Sequence, residues 1–317
     1  MIAVESTSAT GGRVAVLGLG IMGSAMARNL AAAGFGVNVW NRSDERLQPF
    51  VGLDVVACTD AQKAVADAGV VITMLAHGDA VEEVVNGRHG AIQAMPQGAL
   101  WLQMSTVGID EQAHFGQLAD YRALEFVDAP VLGTKGPAEA GELLVLAAGP
   151  ESVRPRADPI FNVIGRRTLW LEPRGAATRL KLVFNSWVIN FISSLAETIA
   201  FAEGVGVDPH LFLEVIKGGA MDSPYAQMKG KLMIEESFDP MFPLKWAHKD
   251  ANLVLKAAEP AGTRMEMTKR ARDQFERAME QGFGERDMAA VFYAARGETT
   301  VAEETGGEEP GANQPGR

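Results

Sequence analysis

Lys181 and Asn185 stand four residues apart in the run Gly175 to Gly206, which holds no proline and is rich in helix formers. Four residues make about one helical turn, so the two side chains share a face. Around them the run is apolar on most sides: Leu180, Leu182, Val183, Phe184, Trp187, Val188, Ile189, Phe191, Ile192, Leu195, Ile199 and Phe201. A helix apolar all round is expected to be buried. A buried ammonium is costly unless it has a partner or a task. Lys181 is therefore a candidate for a chemical role such as handling a proton, with Asn185 able to orient either the lysine or a substrate oxygen. The bland alternative is a snorkelling lysine at a helix end beside a capping asparagine.

A second group with chemical potential lies near the start. The short apolar run Val14–Leu17 reads as a buried strand. It ends in Gly18-Leu19-Gly20-Ile21-Met22-Gly23, and the helical stretch Ser24–Leu30 follows. G-x-G-x-x-G between strand and helix fits a dinucleotide pyrophosphate: a tight turn, close backbone approach, close helix–strand packing, and free N–H groups at the helix start. Without those flanks it is only a glycine-rich turn. The next strand, Val37–Trp40, is followed by Asn41, Arg42 and Ser43. A carboxylate at this point would take the ribose 2′-OH of NAD. Asparagine, arginine and serine suit a 2′-phosphate instead, so NADP(H) is expected over NAD(H), the alternative being that Arg42 is a solvated loop charge.

The elements that must position these groups follow from the pattern. Strand and helix alternate through 54–57, 70–75, 100–104 and 125–129, with helices opening near Asp60, Asp79 and Asp110. That predicts a doubly wound α/β fold with a mostly parallel sheet, ligands lying beyond the carboxyl ends of the strands. Those ends carry Leu75-Ala76-His77, Ser105-Thr106-Val107 and Pro130 to Thr134; His77 reads as a loop residue. Strands at 143–148 and 168–171 complete the sheet. The Gly175–Gly206 helix would span roughly 45 Å, enough to leave one domain and enter another. Asn185, Ser186, Asn190, Ser193, Ser194 and Glu197 interrupt it too often for a membrane span. Beyond it the chain is helical, at 209–218, 245–258, 268–281 and 287–295. The expected division is a disordered N-terminus (1–12), a Rossmann domain (13–174), the long helix with an all-α domain (175–296), and a disordered acidic tail (297–317).

Bulk properties narrow the function classes. The net charge is −11 over 317 residues, with no basic stripe, so no nucleic-acid partner is expected. No metal site is expected. Cys58 is the sole cysteine, which suits a reducing, cytoplasmic setting. No basic n-region precedes an apolar core at the N-terminus, so no signal peptide is expected.

Taken together, GLGIMG with MARNL, QMSTV, DAPVLGTKGPAEAGELLVLAAG, KLVFNSW and FPLKWAHKDANL resemble the β-hydroxyacid dehydrogenase family, and most closely its glyoxylate/succinic semialdehyde reductase branch. The resemblance runs from about Arg13 to Arg296. It implies a Rossmann domain and an all-helical domain joined by the long helix, and a homodimer or homotetramer. It further implies Lys181 as the catalytic lysine and Asn185 as a substrate-holding residue. Leu75, Ala76, Thr106 and Lys249 would touch the cofactor. Thr106, Leu132, Gly133, Thr134, Phe242, Trp246 and Asp250 would surround a small carbonyl or hydroxy acid. Two positions depart from the pattern. Leu132 stands where the family usually has a serine, and Trp246 where the reductase branch often has histidine. Both make the expected pocket more apolar, so an imine or less polar carbonyl is the alternative substrate. Imine reductases typically lack the lysine. A non-catalytic dinucleotide-binding relative would also have lost it.

Overall fold

The computed structural model describes residues 12–296. The expectations of a disordered start, up to residue 11, and of a disordered tail from residue 297 lie outside the described residues.

The chain begins β1 (Arg13–Leu17), α1 (Ile21–Ala32), β2 (Val37–Trp40), a 3-10 turn (Asp44–Phe50), β3 (Val55–Cys58), α2 (Ala61–Val65), β4 (Ala68–Thr73) and α3 (Gly78–Asn86). It continues through β5 (Leu100–Gln103), α4 (Ile109–Tyr121), β6 (Glu125–Asp128), β7 (Val131–Leu132), α5 (Lys135–Glu139), β8 (Leu143–Ala148), α6 (Arg154–Ile164) and β9 (Gly165–Leu171). The rest is helical: α7 (Ala176–Gly204), α8 (Pro209–Ile216), α9 (Pro224–Ile234), α10 (Leu244–Ala258), α11 (Glu266–Glu280) and α12 (Val291–Arg296).

The nine strands form one sheet in the order β3-β2-β1-β4-β5-β6-β8-β7, with β9 beside β8. From β3 to β6 every pairing is parallel. β8 then runs antiparallel to β6 and β7, and parallel to β9. All six residues of β4 are buried, as a central parallel strand covered on both faces requires. One apolar core lies on each side of it: Val70 and Ile72 face the layer with α1, and Val71 faces the layer with Trp101 and Phe115. The strand order reverses between β1 and β4, which opens a crevice at their carboxyl ends.

Helices α5, α6 and α9 were not read from the sequence. Pro155 stands in the first turn of α6, where proline is tolerated, but Pro159 lies inside the helix, where the residue type argues against one. α6 is the crossover that lets β8 and β9 pair in parallel.

The helix α7 is 29 residues long. Leu182, Asn185, Ile189, Ile192, Ala196 and Ile199, spaced three or four apart, are buried, and its apolar members pack into the core of the helical lobe with residues of α10, α11 and α12. The expectation of burial on every side is corrected. Val183, Trp187 and Phe201 are 65%, 68% and 69% exposed, because the helical lobe covers only one side of the rod. By length and composition alone this helix is apolar enough to cross a membrane. Its polar Asn185 and Asn190 instead bond to Asp250 and Thr268 of the packed lobe.

Candidate active site

The glycine turn joins β1 to α1 directly below the crevice. Gly18 has φ +106°, and a Cβ there would lie 2.3 Å from the Met74 carbonyl oxygen. A Cβ on Gly23 would lie 1.9 Å from the Gly18 oxygen, so the helix can approach the strand only without one. Gly20 differs: a Cβ there would meet nothing within 4 Å. The space before it is open, as a cradle for a pyrophosphate requires. Leu19 turns its side chain into the core and donates its N–H to Asn41 Oδ1 at 3.0 Å. Asn41 therefore ties β2 to the turn through its side-chain oxygen.

A cavity of about 850 Å³ runs from this turn to the helical lobe. That is ample for a dinucleotide and a small substrate. Gly18, Gly20, Ile21, Met22 and Gly23 form its floor, and Asn41, Arg42 and Ser43 one end. Leu75, Ala76 and Thr106 line the strand ends. Phe242, Trp246, Lys249 and Asp250 close it from α10 and the residues before it. Thus fifteen residues expected at the site do border one cavity.

Six do not. Leu19, whose side chain lies in the core, and Lys181, Asn185, Leu132, Gly133 and Thr134 are absent from its wall. Leu132 pairs with Leu144 across β7 and β8 and packs against Leu146, Ala148 and Ala177. The side chain is partly buried against that apolar cluster. Asn185 reaches the cavity wall through a hydrogen bond to Asp250, and Lys181 is linked to that residue by charge alone. Asn185 Nδ2 donates to Asp250 Oδ2 at 2.9 Å, and Lys249 Nζ lies 2.9 Å from Asp250 Oδ1. Lys181 Nζ donates to the Val131 carbonyl at 2.9 Å.

The electrostatics of this group are unusual. Desolvation pulls the Lys181 ammonium down to about 8; Asp250 pulls it back up, and Lys249 adds to the fall. The backbone that receives it is itself anchored. Asp128, three residues before Val131, accepts from Thr178 N at 2.8 Å and Thr178 Oγ1 at 2.7 Å. Thr178 is one turn before Lys181, so the segment Asp128–Val131 grips the first turn of α7 twice. Burial pushes the Asp128 carboxyl up to about 6, the two bonds from Thr178 and the charge of Arg179 opposing it.

The strand ends are held by buried polar side chains. Leu75 N–H donates to Ser105 Oγ at 2.8 Å, Ser105 N–H to Gln103 Oε1 at 2.8 Å, and Gln103 Nε2 to Gln112 Oε1 at 2.9 Å. This places Leu75, Ala76 and Thr106 along one edge. Lys249 Nζ then donates to the Thr106 carbonyl at 2.8 Å, joining α10 to the sheet lobe.

Sequence reading missed Arg46, Met241 and Pro243, which also line the cavity. Arg46 stands four residues after Arg42 on the 3-10 turn, a spacing that could have drawn notice. His77, set aside as a loop residue, lines the cavity too and accepts the Ala80 N–H at the start of α3. No group of His, Cys, Asp and Glu among the described residues is arranged to hold a metal ion.

Comparison with known proteins accords with this arrangement. Residues 13–172 match the NAD binding domain of 6-phosphogluconate dehydrogenase, and 175–294 match the NAD-binding domain of NADP-dependent 3-hydroxyisobutyrate dehydrogenase. Glyoxylate/succinic semialdehyde reductase 2 of Arabidopsis thaliana, a chloroplastic protein, is 34% identical over 89% of this chain and 79% of its own. Reductase 1 of the same plant is 31% identical over 89% of this chain and 98% of its own. The solved 3-hydroxyisobutyrate dehydrogenase of Mycobacterium tuberculosis superposes with a TM-score of 0.80 at 25% identity, over 90% of this chain and 99% of that one. A glycine cradle at the switch point of a Rossmann sheet, an all-helical second lobe and these likenesses make the chain a member of the β-hydroxyacid dehydrogenase family, an oxidoreductase that binds a nicotinamide dinucleotide.

Proposed function

We propose that this chain uses NADPH to reduce a small aldehyde or 2-oxo acid of the glyoxylate, succinic semialdehyde or 3-hydroxyisobutyrate type, with Lys181 managing the proton. The observation that carries this reading is the desolvated Lys181 ammonium, tethered to Val131 and coupled to the cavity wall at Asp250.

A bound nicotinamide supplies the hydride; the chain does the rest. Negative charge grows on the substrate oxygen during reduction. An ammonium within reach stabilises it and donates a proton. The Val131 bond fixes the Lys181 ammonium, and Asn185 fixes Asp250, the wall residue whose charge raises the Lys181 value. With a value near 8, Lys181 is mostly charged at neutrality yet able to act as the base in the reverse direction. Gly20 and the free N–H groups of α1 suit the pyrophosphate. Arg42 and Arg46, both exposed at the cavity's end, suit a 2′-phosphate, which favours NADP(H) over NAD(H). Trp246, Met241 and Phe242 on the wall favour, as the second reading, a less polar carbonyl or an imine.

The division of labour we infer has residues 13–174 holding the cofactor, with 175–296 supplying the proton donor and the oligomer contact. Val183, Trp187 and Phe201 of α7 are exposed, and so are Leu211 and Val215 of α8. A second copy of this chain is their proposed cover, giving a homodimer or homotetramer. A single cysteine accords with a cytoplasmic setting.

The test is loss of NADPH absorbance across a panel of aldehydes, 2-oxo acids and cyclic imines. Turnover of the acids identifies the first reading, and turnover of imines alone the second. No turnover with any compound overturns both. Light scattering of the wild type reads the assembly, and a monomer would refute the inferred contact.

A further inference from the structure

Away from the cavity wall, Lys229 of α9 and Asp287 form an ion pair of 2.6 Å with both side chains fully buried. Taking two charges out of water commonly costs more than their attraction returns. Burial pulls the Lys229 ammonium below its ordinary range, and Asp287 opposes that pull.

The carboxylate has three further partners. Oδ1 also accepts Ala289 N–H at 3.0 Å, while Oδ2 accepts Met241 N–H and Phe242 N–H, each at 3.1 Å. The chain around it is stitched along the same line: Met288 N–H donates to the Phe242 carbonyl at 2.9 Å, and Leu244 N–H to the Arg286 carbonyl at 2.8 Å. Met241 and Phe242 lead into α10, and both line the cavity. Trp246, Lys249 and Asp250 follow within two turns of that helix.

We propose that Lys229 and Asp287 form a positioning clamp for the active site, holding the Met241–Phe242 segment so that Phe242 and Trp246 meet the substrate end of the cavity. The clamp needs a carboxylate. Four donors converge on it, and an amide at 287 would turn its own NH2 toward either Lys229 or the two backbone N–H groups. It needs Lys229 as well, since a carboxylate buried without its counter-charge is held in place poorly. The clamp rests on the function proposed above, because its purpose is to aim residues at that substrate.

The experiment compares wild type, Lys229→Met, Asp287→Asn and Lys229→Arg as full chains, well below each midpoint of unfolding. Amide hydrogen exchange over 239–246, the NADPH Kd, kcat and KM are measured. In the Met and Asn variants exchange over this segment should accelerate. Their kcat/KM should fall roughly a hundredfold, mostly through KM, with the NADPH Kd within about twofold of wild type. Lys229→Arg, which keeps the charge, should recover part of the loss. If the Met and Asn variants unfold at lower temperature but keep wild-type exchange over 239–246 and wild-type KM, the pair is structural only and the clamp is refuted. If neither folds, wild type decides: rapid exchange of the Met241 and Phe242 amides would refute the clamp, and slow exchange would support it. Exchange needs no substrate, so an enzyme that turns over no carbonyl would sink the proposed function while leaving the clamp to be judged.

Discussion

Lys181 offers the sharpest prediction. Its value of about 8 makes it about nine-tenths protonated at pH 7 and about one-tenth at pH 9. If it donates the proton, kcat for carbonyl reduction should fall about tenfold between those pH values, and kcat for alcohol oxidation should rise by a similar factor. Lys181→Met should lower kcat roughly 10²- to 10⁴-fold, the usual range for a positioned acid, and leave the NADPH Kd unchanged. The inflection should vanish with it. Neighbouring charges give the sign of two further shifts. Lys249 presses the Lys181 value down and Asp250 holds it up. Lys249→Met should therefore move the inflection to higher pH, and Asp250→Asn to lower pH. The assay is NADPH absorbance at saturating cofactor across pH 6 to 10. A Lys181→Met enzyme within tenfold of wild type, or an inflection that persists in it, would refute the mechanism. Shifts of both wall variants in the same direction would refute the electrostatic account.

Other outcomes follow from the same geometry. Gly20→Ala should fold with an unchanged melting temperature and bind NADPH more weakly, because its methyl group enters open space. Gly23→Ala should lower the melting temperature itself, since a Cβ would sit 1.9 Å from the Gly18 oxygen. Equal melting temperatures for the two would contradict the assigned roles. Arg42→Ala with Arg46→Ala should weaken NADPH roughly ten- to hundredfold and NADH little, as titrated by cofactor fluorescence; equal losses would remove the 2′-phosphate argument. Asp128 is pushed from 3.8 to about 6 by burial, so its ionised form is the costly one. Its contribution to stability is full below about pH 4 and is lost as pH rises through about 6, on the order of 3 kcal/mol in all. Denaturant melts of wild type and Asp128→Asn should diverge by that amount between pH 4 and 8, in favour of the amide at the higher pH. Parallel curves would show that the carboxyl is not desolvated.

Much of this protein was legible in its residues, for a physical reason. A parallel sheet needs unbroken apolar runs, a phosphate cradle needs glycines at fixed spacing, and a long helix needs a stretch free of proline. These are local demands, and Val14–Leu17, Gly18 to Gly23 and the run from Gly175 satisfy them in the sequence itself. The family resemblance added roles for Lys181 and Thr106 that spacing alone leaves open. What tertiary structure decided is how distant side chains meet. Only the pairing of β7 with β8 turns Leu132 onto an apolar cluster. Only the packing of one lobe against α7 leaves Trp187 bare while burying Asn185. Asp128 with Thr178, Asn185 with Asp250, and Lys229 with Asp287 join residues 50, 65 and 58 apart in the chain. No periodicity records such contacts, because burial and charge compensation are settled between elements and not along them.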